Sequence, residues 1–410
     1  MNRYSINGLV FLCLFLGASS AFGQQKKTST APQITAKFGK GVVLTAADSS
    51  FNMKLNFRMQ NLATYSRRLD DLSIPGESAF MIRRSRIKAE GFMFSPKLKY
   101  KTELGLSNRD FESTQRGEDI DNPGPILDMV IKWQFAPGFE LWFGQTKLPG
   151  NRERLVSSGN LQFVDRSLVN SRFTTDRDAG FWLVHQMGER FIVRNTISLT
   201  SGEGKNRSVA KNPNTRANGV AYSYRLELLP FGAFSKKGNY VEGDLQREAT
   251  PKLAIAGAYS FNDNAVRSQG QLGNYFHNGE TRDLKTLFVD YIFKYKGFAS
   301  QGEFAMLDVD NPVSIEEENI TDSPIYAFKG MGYNFQTSYL FANNFEIAGR
   351  FAQAIPHADI ADFKKTQTDF TLGLSRYIVG HKLKAQADLT HSTSGTKQSL
   401  IGRFQVEVQF

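Results

Sequence analysis

Basic side chains recur at two-residue spacing in this chain of 410 residues, and on an extended backbone that spacing sets like charges side by side on one face. Lys97, Lys99 and Lys101 form one such row, Arg84, Arg86 and Lys88 another, and Arg58 falls in the same phase of a neighbouring segment. Against these seven stand only Glu90 and Glu103, so the polar face of the three segments is a basic wall. Walls of Arg and Lys lower the electrostatic cost of admitting an anion to a narrow, partly desolvated passage. Arginine's planar fork also suits phosphate oxygens, and weak sites in series let an oxyanion bind without being trapped.

Other chemistries lack their residues. The single cysteine, Cys13, lies in an N-terminal apolar run and the five histidines are scattered, so no disulfide framework, thiol nucleophile or zinc site is expected. No His-Glu-x-x-His, Gly-x-Ser-x-Gly or Gly-Lys-Ser/Thr loop occurs; the chain reads as a non-enzyme without a cofactor or metal. The acidic run Glu316-Glu317-Glu318 reads as a solvated loop. With 50 Lys and Arg against 40 Asp and Glu, the formal charge is +10, which in an exported protein points to anionic solutes or surfaces rather than nucleic acid.

Export follows from the first residues. A basic start at Arg3, an apolar run from Leu9 to Ala18 and the small-residue stretch Ala21-Phe22-Gly23 predict a signal peptide over 1–23. Residues 24–50 are expected to be a periplasmic lead-in and 51–410 the main domain. Nothing after Gly23 is long and apolar enough for a membrane helix, yet strict alternation recurs. In 97–106, Leu98, Tyr100, Leu104 and Leu106 share one face and Lys97, Lys99, Lys101 and Glu103 the other. Similar runs of bilayer-crossing length number about sixteen, near 51–65, 78–94, 96–107, 126–135, 139–148, 179–187, 190–201, 217–230, 251–261, 284–296, 297–308, 328–341, 344–353, 367–377, 381–391 and 400–410.

Tight connections such as 136–138 and 342–344 alternate with long polar ones such as 108–125, and aromatics including Trp133, Phe135, Phe139, Tyr339, Phe341 and Phe345 cluster at the tight end. The pattern predicts an all-β fold: a transmembrane, antiparallel, up-and-down β-barrel in the bacterial outer membrane, in contact with its lipid. The stretch 231–250 breaks the alternation and is expected to hold a small extra element. The third long connection, 149–178, carries Arg152, Arg154, Arg166, Arg172 and Arg177 together with Leu155, Leu161, Phe163, Val164 and Leu168, and is expected to fold inward and narrow the pore.

Gly144-Gln145-Thr146-Lys147-Leu148-Pro149, Ser157-Ser158 and Phe163-Val164-Asp165-Arg166-Ser167 resemble the fifth-strand and third-loop signature of the phosphate-selective porin O and P family. Arg83-Arg84-Ser85-Arg86 ahead of Gly91, Gly330-Met331-Gly332-Tyr333, Thr371-Leu372-Gly373-Leu374, Gly380-His381-Lys382-Leu383-Lys384-Ala385-Gln386 and Arg403-Phe404-Gln405 extend the resemblance over roughly 40–410. It implies a sixteen-stranded porin, trimeric in its known members, passing phosphate or polyphosphate along a path lined by Arg and Lys. Carried onto matching positions, that path includes Lys147, Arg166, Arg84, Arg86, Lys382 and Lys384. The rival expectation is a plugged barrel with a structural or adhesive role. Neutralising Lys97, Lys99 and Lys101 together is predicted to lower anion preference, read as a shift in reversal potential under a salt gradient.

Overall fold

The computed structural model describes residues 31–107, 110, 124–207, 219–315 and 324–410; the expected signal peptide and Glu316-Glu317-Glu318 lie outside the described residues. In chain order the strands are β1 (Gln33–Lys37), β2 (Gly41–Thr45), β3 (Phe51–Arg68), β4 (Glu77–Met93), β5 (Ser95–Gly105), β6 (Ile126–Ala136), β7 (Phe139–Lys147), β8 (Arg177–Met187), β9 (Ile192–Thr200) and β10 (Ala221–Leu229). There follow β11 (Lys252–Ala265), β12 (Arg282–Tyr295), β13 (Phe298–Asp308), β14 (Val313–Ser314), β15 (Ile325–Tyr326), β16 (Gly330–Leu340), β17 (Phe345–Pro356), β18 (Gln367–Tyr377), β19 (Leu383–Ser394) and β20 (Lys397–Gln409). β14 and β15 pair only with each other, and β1 and β2 form a hairpin along the start of β3 that the sequence pattern did not reveal. The other sixteen form one antiparallel ring, closed where β20 pairs with β3 from Gln409 opposite Arg58 to Ser399 opposite Arg68.

Closure leaves the ring of sixteen without an edge strand, which a sheet in hydrocarbon requires. Alternation then sorts the side chains: on β18, Phe370, Leu372 and Leu374 are exposed to the outside, while Thr371, Ser375 and Tyr377 are buried within. Apolar side chains face outward because lipid, not water, covers them. Tight turns lie at one end, and there Trp133 and Phe135, Phe135 and Phe139, and Tyr339 and Phe341 pack in tilted or edge-on pairs at centroid separations of 5.8, 5.8 and 5.1 Å.

The apolar core sits inside the ring and on one side. Inward positions from β11 to β18 are small, among them Ala254, Ala256, Ala258, Ala299, Ala305, Ala348, Ala352 and Ala354. The third long connection, 148–176, fills the space they leave, with two short helices, α1 (Arg152–Leu155) and α2 (Leu168–Phe173). Val169 and Phe173 of α2 join Phe288, Leu307 and Phe328 in the main buried cluster. Glycine is needed twice: a Cβ at Gly332 would lie 2.8 Å from the Phe173 ring, and one at Gly373 2.8 Å from that of Phe163.

Leu372→Arg, at the middle of β18 on the lipid face, is predicted to cost about 2 to 4 kcal/mol, whereas a charge at an inward, wetted position of the basic wall costs much less. Denaturant unfolding from lipid vesicles checks it; equal costs would contradict the assigned faces.

Candidate functional site

Hydrogen bonds from the strands hold 148–176 across the interior. Lys384 Nζ donates to Leu161 O (2.9 Å), Gln386 Nε2 to Gln162 O (2.9 Å), Ser375 Oγ to Gln162 O (3.1 Å) and Arg350 Nη1 to Asp165 O (2.9 Å). The Val164 N–H donates to Asp388 Oδ2 (2.9 Å), and the Arg350 guanidinium stacks on Phe163 at 4.5 Å. At the root of the connection, Arg152 is fully enclosed between Asp290 Oδ1 (2.7 Å) and Glu227 Oε1 (2.9 Å), while Arg225 completes the Asp290 pair and donates to Gly150 O. These partners come from β10, β12 and β17–β19, so the connection leans on that half of the ring.

The opposite half, β3 to β8, carries the basic wall. Strand register sets its rows: Arg84 lies opposite Gln60, Arg58 opposite Arg86, Lys88 opposite both Asn56 and Glu103, Lys101 opposite Glu90, and Lys99 between Phe92 and Lys132. Successive rows are two residues apart, about 7 Å along a strand. The lysine part of the wall stays wetted, with side-chain exposures of 28% at Lys88, 26% at Lys101 and 48% at Lys99, while Arg58 and Arg84 are buried. At Arg58 it also touches the connection, through Ser158 Oγ at 2.9 Å.

Where wall and connection meet, the basic groups converge. Lys147 Nζ donates to Leu155 O and Val156 O, and Arg166 donates to Glu153 O and Val156 O, so both clamp the turn after α1 by its carbonyls. Arg154 pairs with Asp176. Burial and then the nearby guanidiniums of Arg166, Arg177, Arg86 and Arg84 hold Arg154 well below its ordinary value. Arg166 falls to about 10, chiefly through burial, with Glu153 opposing. Asp165 behaves in the opposite sense: burial would raise it, but Arg83, Arg84 and Arg403 together hold its carboxyl below the usual range.

Of the residues expected from the sequence, Arg58, Arg84, Arg86, Lys147 and Arg166 gather at this junction. Lys88, Lys97, Lys99 and Lys101 descend the wall toward the tight-turn end, and Lys382, at that end, donates to Gln409 Oε1 (2.7 Å). Lys384 is placed elsewhere: it is fully buried beneath the connection, 3.4 Å from Glu407 Oε2, and supports the backbone there. The lysine row is also less bare than its own strand suggests. Lys101 pairs with Asp128 (2.7 Å) and Glu103 (3.0 Å) and Lys99 with Glu140 (3.4 Å), leaving Lys97 without a carboxylate among the described residues.

The lining residues expected from the sequence did not include Arg83, Arg154, Arg177 or Arg403, although each lies in a stretch the sequence marked. Arg83 breaks the two-residue phase because a register shift at Gln60/Asn61 skips it, turning both Arg83 and Arg84 to the interior. The clustering of arginines in 149–178 was a signal for Arg154 and Arg177; Arg83 stood in the basic motif ahead of Gly91, but its phase set it on the face opposite that of Arg84 and Arg86.

Comparison with known proteins points the same way. The profile of the family described as phosphate-selective porin O and P matches residues 53–399. A protein of Aquifex aeolicus (strain VF5), described only as uncharacterized, is 24% identical over 336 residues, covering 75% of this chain and 74% of its own length. Among solved structures, an anion-selective porin from Comamonas acidovorans is similar with a TM-score of 0.54 at 9% identity, covering 87% of this chain and 99% of its own. The outer membrane channel DcaP of Acinetobacter baumannii also gives a TM-score of 0.54 at 9% identity, with 88% and 98% covered. At such identities the two structures share the fold alone.

Arg152→Met is predicted to destabilise the barrel by about 3 to 5 kcal/mol, because it strands buried carboxylates at the root of the connection. The temperature at which the folded band is lost on a gel checks it, and an unchanged temperature would refute the anchoring role.

Proposed function

The chain belongs to the phosphate-selective porin O and P family, and from that premise we propose that it takes up small anions passively along its basic wall, phosphate or polyphosphate foremost. It is a bacterial outer-membrane channel rather than an enzyme. The observation that carries the proposal is the gathering of Arg84, Arg86, Arg154, Arg166 and Arg177 where wall and connection meet, with Arg84 on Asp165, Arg154 on Asp176 and Arg166 on the turn after α1; burial and then repulsion from these neighbours hold Arg154 below its ordinary value. An entering oxyanion relieves that repulsion, and guanidinium forks offer it paired donors. Below the junction Lys88, Lys101 and Lys99 offer successive weaker sites about 7 Å apart, so that a bound ion can leave. Carboxylates such as Glu103 and Asp128 moderate the field without cancelling it. We assign Lys97 and Lys382 to the periplasmic mouth and leave Lys384 to the support of the connection. A homotrimer in outer-membrane lipid is the proposed assembly.

The test is the reversal potential of purified channels in a planar bilayer under a KCl gradient, followed by phosphate titration on the same channels. Anion preference with block by phosphate is expected. Arg154→Gln combined with Arg166→Gln is predicted to weaken the block by about tenfold or more, one charge-assisted hydrogen bond's worth. Neutralising the lysine row has a smaller effect, since two of its three members are already paired. Weak selectivity without block would leave a general porin and remove phosphate from the proposal.

A further inference from the structure

The twenty-two residues between β10 and β11 lie at the end where other connections are tight, yet they do not hang below the barrel. Phe234 packs with Ile192, Leu229, Ala254 and Ile292, and a 3-10 turn over Ser235–Tyr240 directs the chain inward. The return limb is tied down at several points. Lys294 Nζ donates to Val241 O (2.7 Å), the Gly297 N–H to Asp244 Oδ2 (2.8 Å), the Lys296 N–H to Glu248 O (3.0 Å), and Arg247 Nη2 to Phe341 O (2.7 Å). Asn239, Glu242, Asp244 and Glu248 are all buried.

At its innermost point this segment meets the third connection. The Glu242 N–H donates to Asn160 O (2.9 Å), the Gln162 N–H donates to Glu242 Oε2 (2.9 Å), and Gln301 Nε2 donates to Glu242 Oε1 (3.2 Å). One turn earlier, Arg152 Nη1 donates to Asn239 O (2.9 Å). We infer that 231–250 is a positioning strut, with Glu242 as its contact, which fixes the third connection from the periplasmic side and thereby sets the width of the passage along the basic wall.

Three features support a strut over incidental contact. Asn160 to Gln162 is the stretch from which Lys384, Gln386 and Ser375 also bond, so the strut and the back wall grip the same few residues from two directions. The strut's own anchors are on β12 and on the turns before β13 and β17, none of which belongs to the basic wall. Burial, then the nearby Glu153, push the Glu242 carboxyl up to about 7, a strain that a side chain without a task on 148–176 would avoid by facing water. Removing the strut leaves the stretch 157–162 held from one side only, free to move away from or across the wall.

The inference rests on the channel reading but not on its anion preference. The test uses the full-length protein with Asn160→Cys and Glu242→Cys, in which Cys13 is the only other cysteine. The oxidised pair is expected to form an internal disulfide and to conduct as the unaltered channel does. Reduction is expected to change single-channel conductance roughly twofold and raise current noise, reversibly on reoxidation, because the loop end is released. Glu242→Gln, which keeps the acceptor for Gln162, is expected to conduct normally, while Glu242→Ala matches the reduced pair. Failure of the disulfide to form, or conductance that is indifferent to its reduction, overturns the strut. Reversal potentials on the same channels report separately on anion preference, so the loss of one conclusion is distinguishable from the loss of the other.

Discussion

A backbone in a bilayer has no water to bond, so every strand in it needs two partners, and the pairing of β20 with β3 is the contact on which the rest of this molecule depends. With that seam closed, each strand has one face in lipid and one inside. The outward face then becomes apolar for the same reason that a soluble protein's surface becomes polar, which is why Phe370, Leu372 and Leu374 are exposed without being a docking patch.

Sixteen strands enclose more room than their own side chains occupy, and the way this chain fills that room decides what remains open. Alanine and glycine on the inward face of β11 to β18 make a shallow seat, and the third connection settles its apolar residues there rather than against the basic wall. The seat is selective by size and charge together. Phe163 and Phe173 fit only where Gly373 and Gly332 stand, while buried Arg152 finds its two carboxylates only on β10 and β12. The connection consequently packs its apolar residues against one half of the lumen and leaves the other, which carries the basic wall, to the passage.

That charge is an excess rather than a monopoly. Asp165, Asp176, Asp128 and Glu103 each hold basic partners, keeping the guanidiniums in place. A wall of unpaired cations would repel itself apart, whereas a partly paired one is rigid and still leaves donors facing the passage.

Much of this was legible from the sequence. Two-residue alternation, segment length and the rhythm of connections determined the membrane barrel, its strand number and its inward and outward faces, because these are properties of an extended chain read one residue at a time. The pairing of Lys101 with Asp128 and of Lys99 with Glu140 was not legible, since it joins β5 to strands whose register depends on the whole ring. Arg83 was hidden by a register shift that exists only against a neighbouring strand, and Lys384 matched the phase of a lining residue but lies beneath a loop. The path of 231–250 had no periodic signal at all, since it is set by scattered polar contacts rather than by a repeating face. Sequence by itself thus determined which residues share a face and what kind of solvent that face meets. Only the tertiary structure decided which charges meet a partner and which meet the passage, because that depends on distances between segments far apart in the chain.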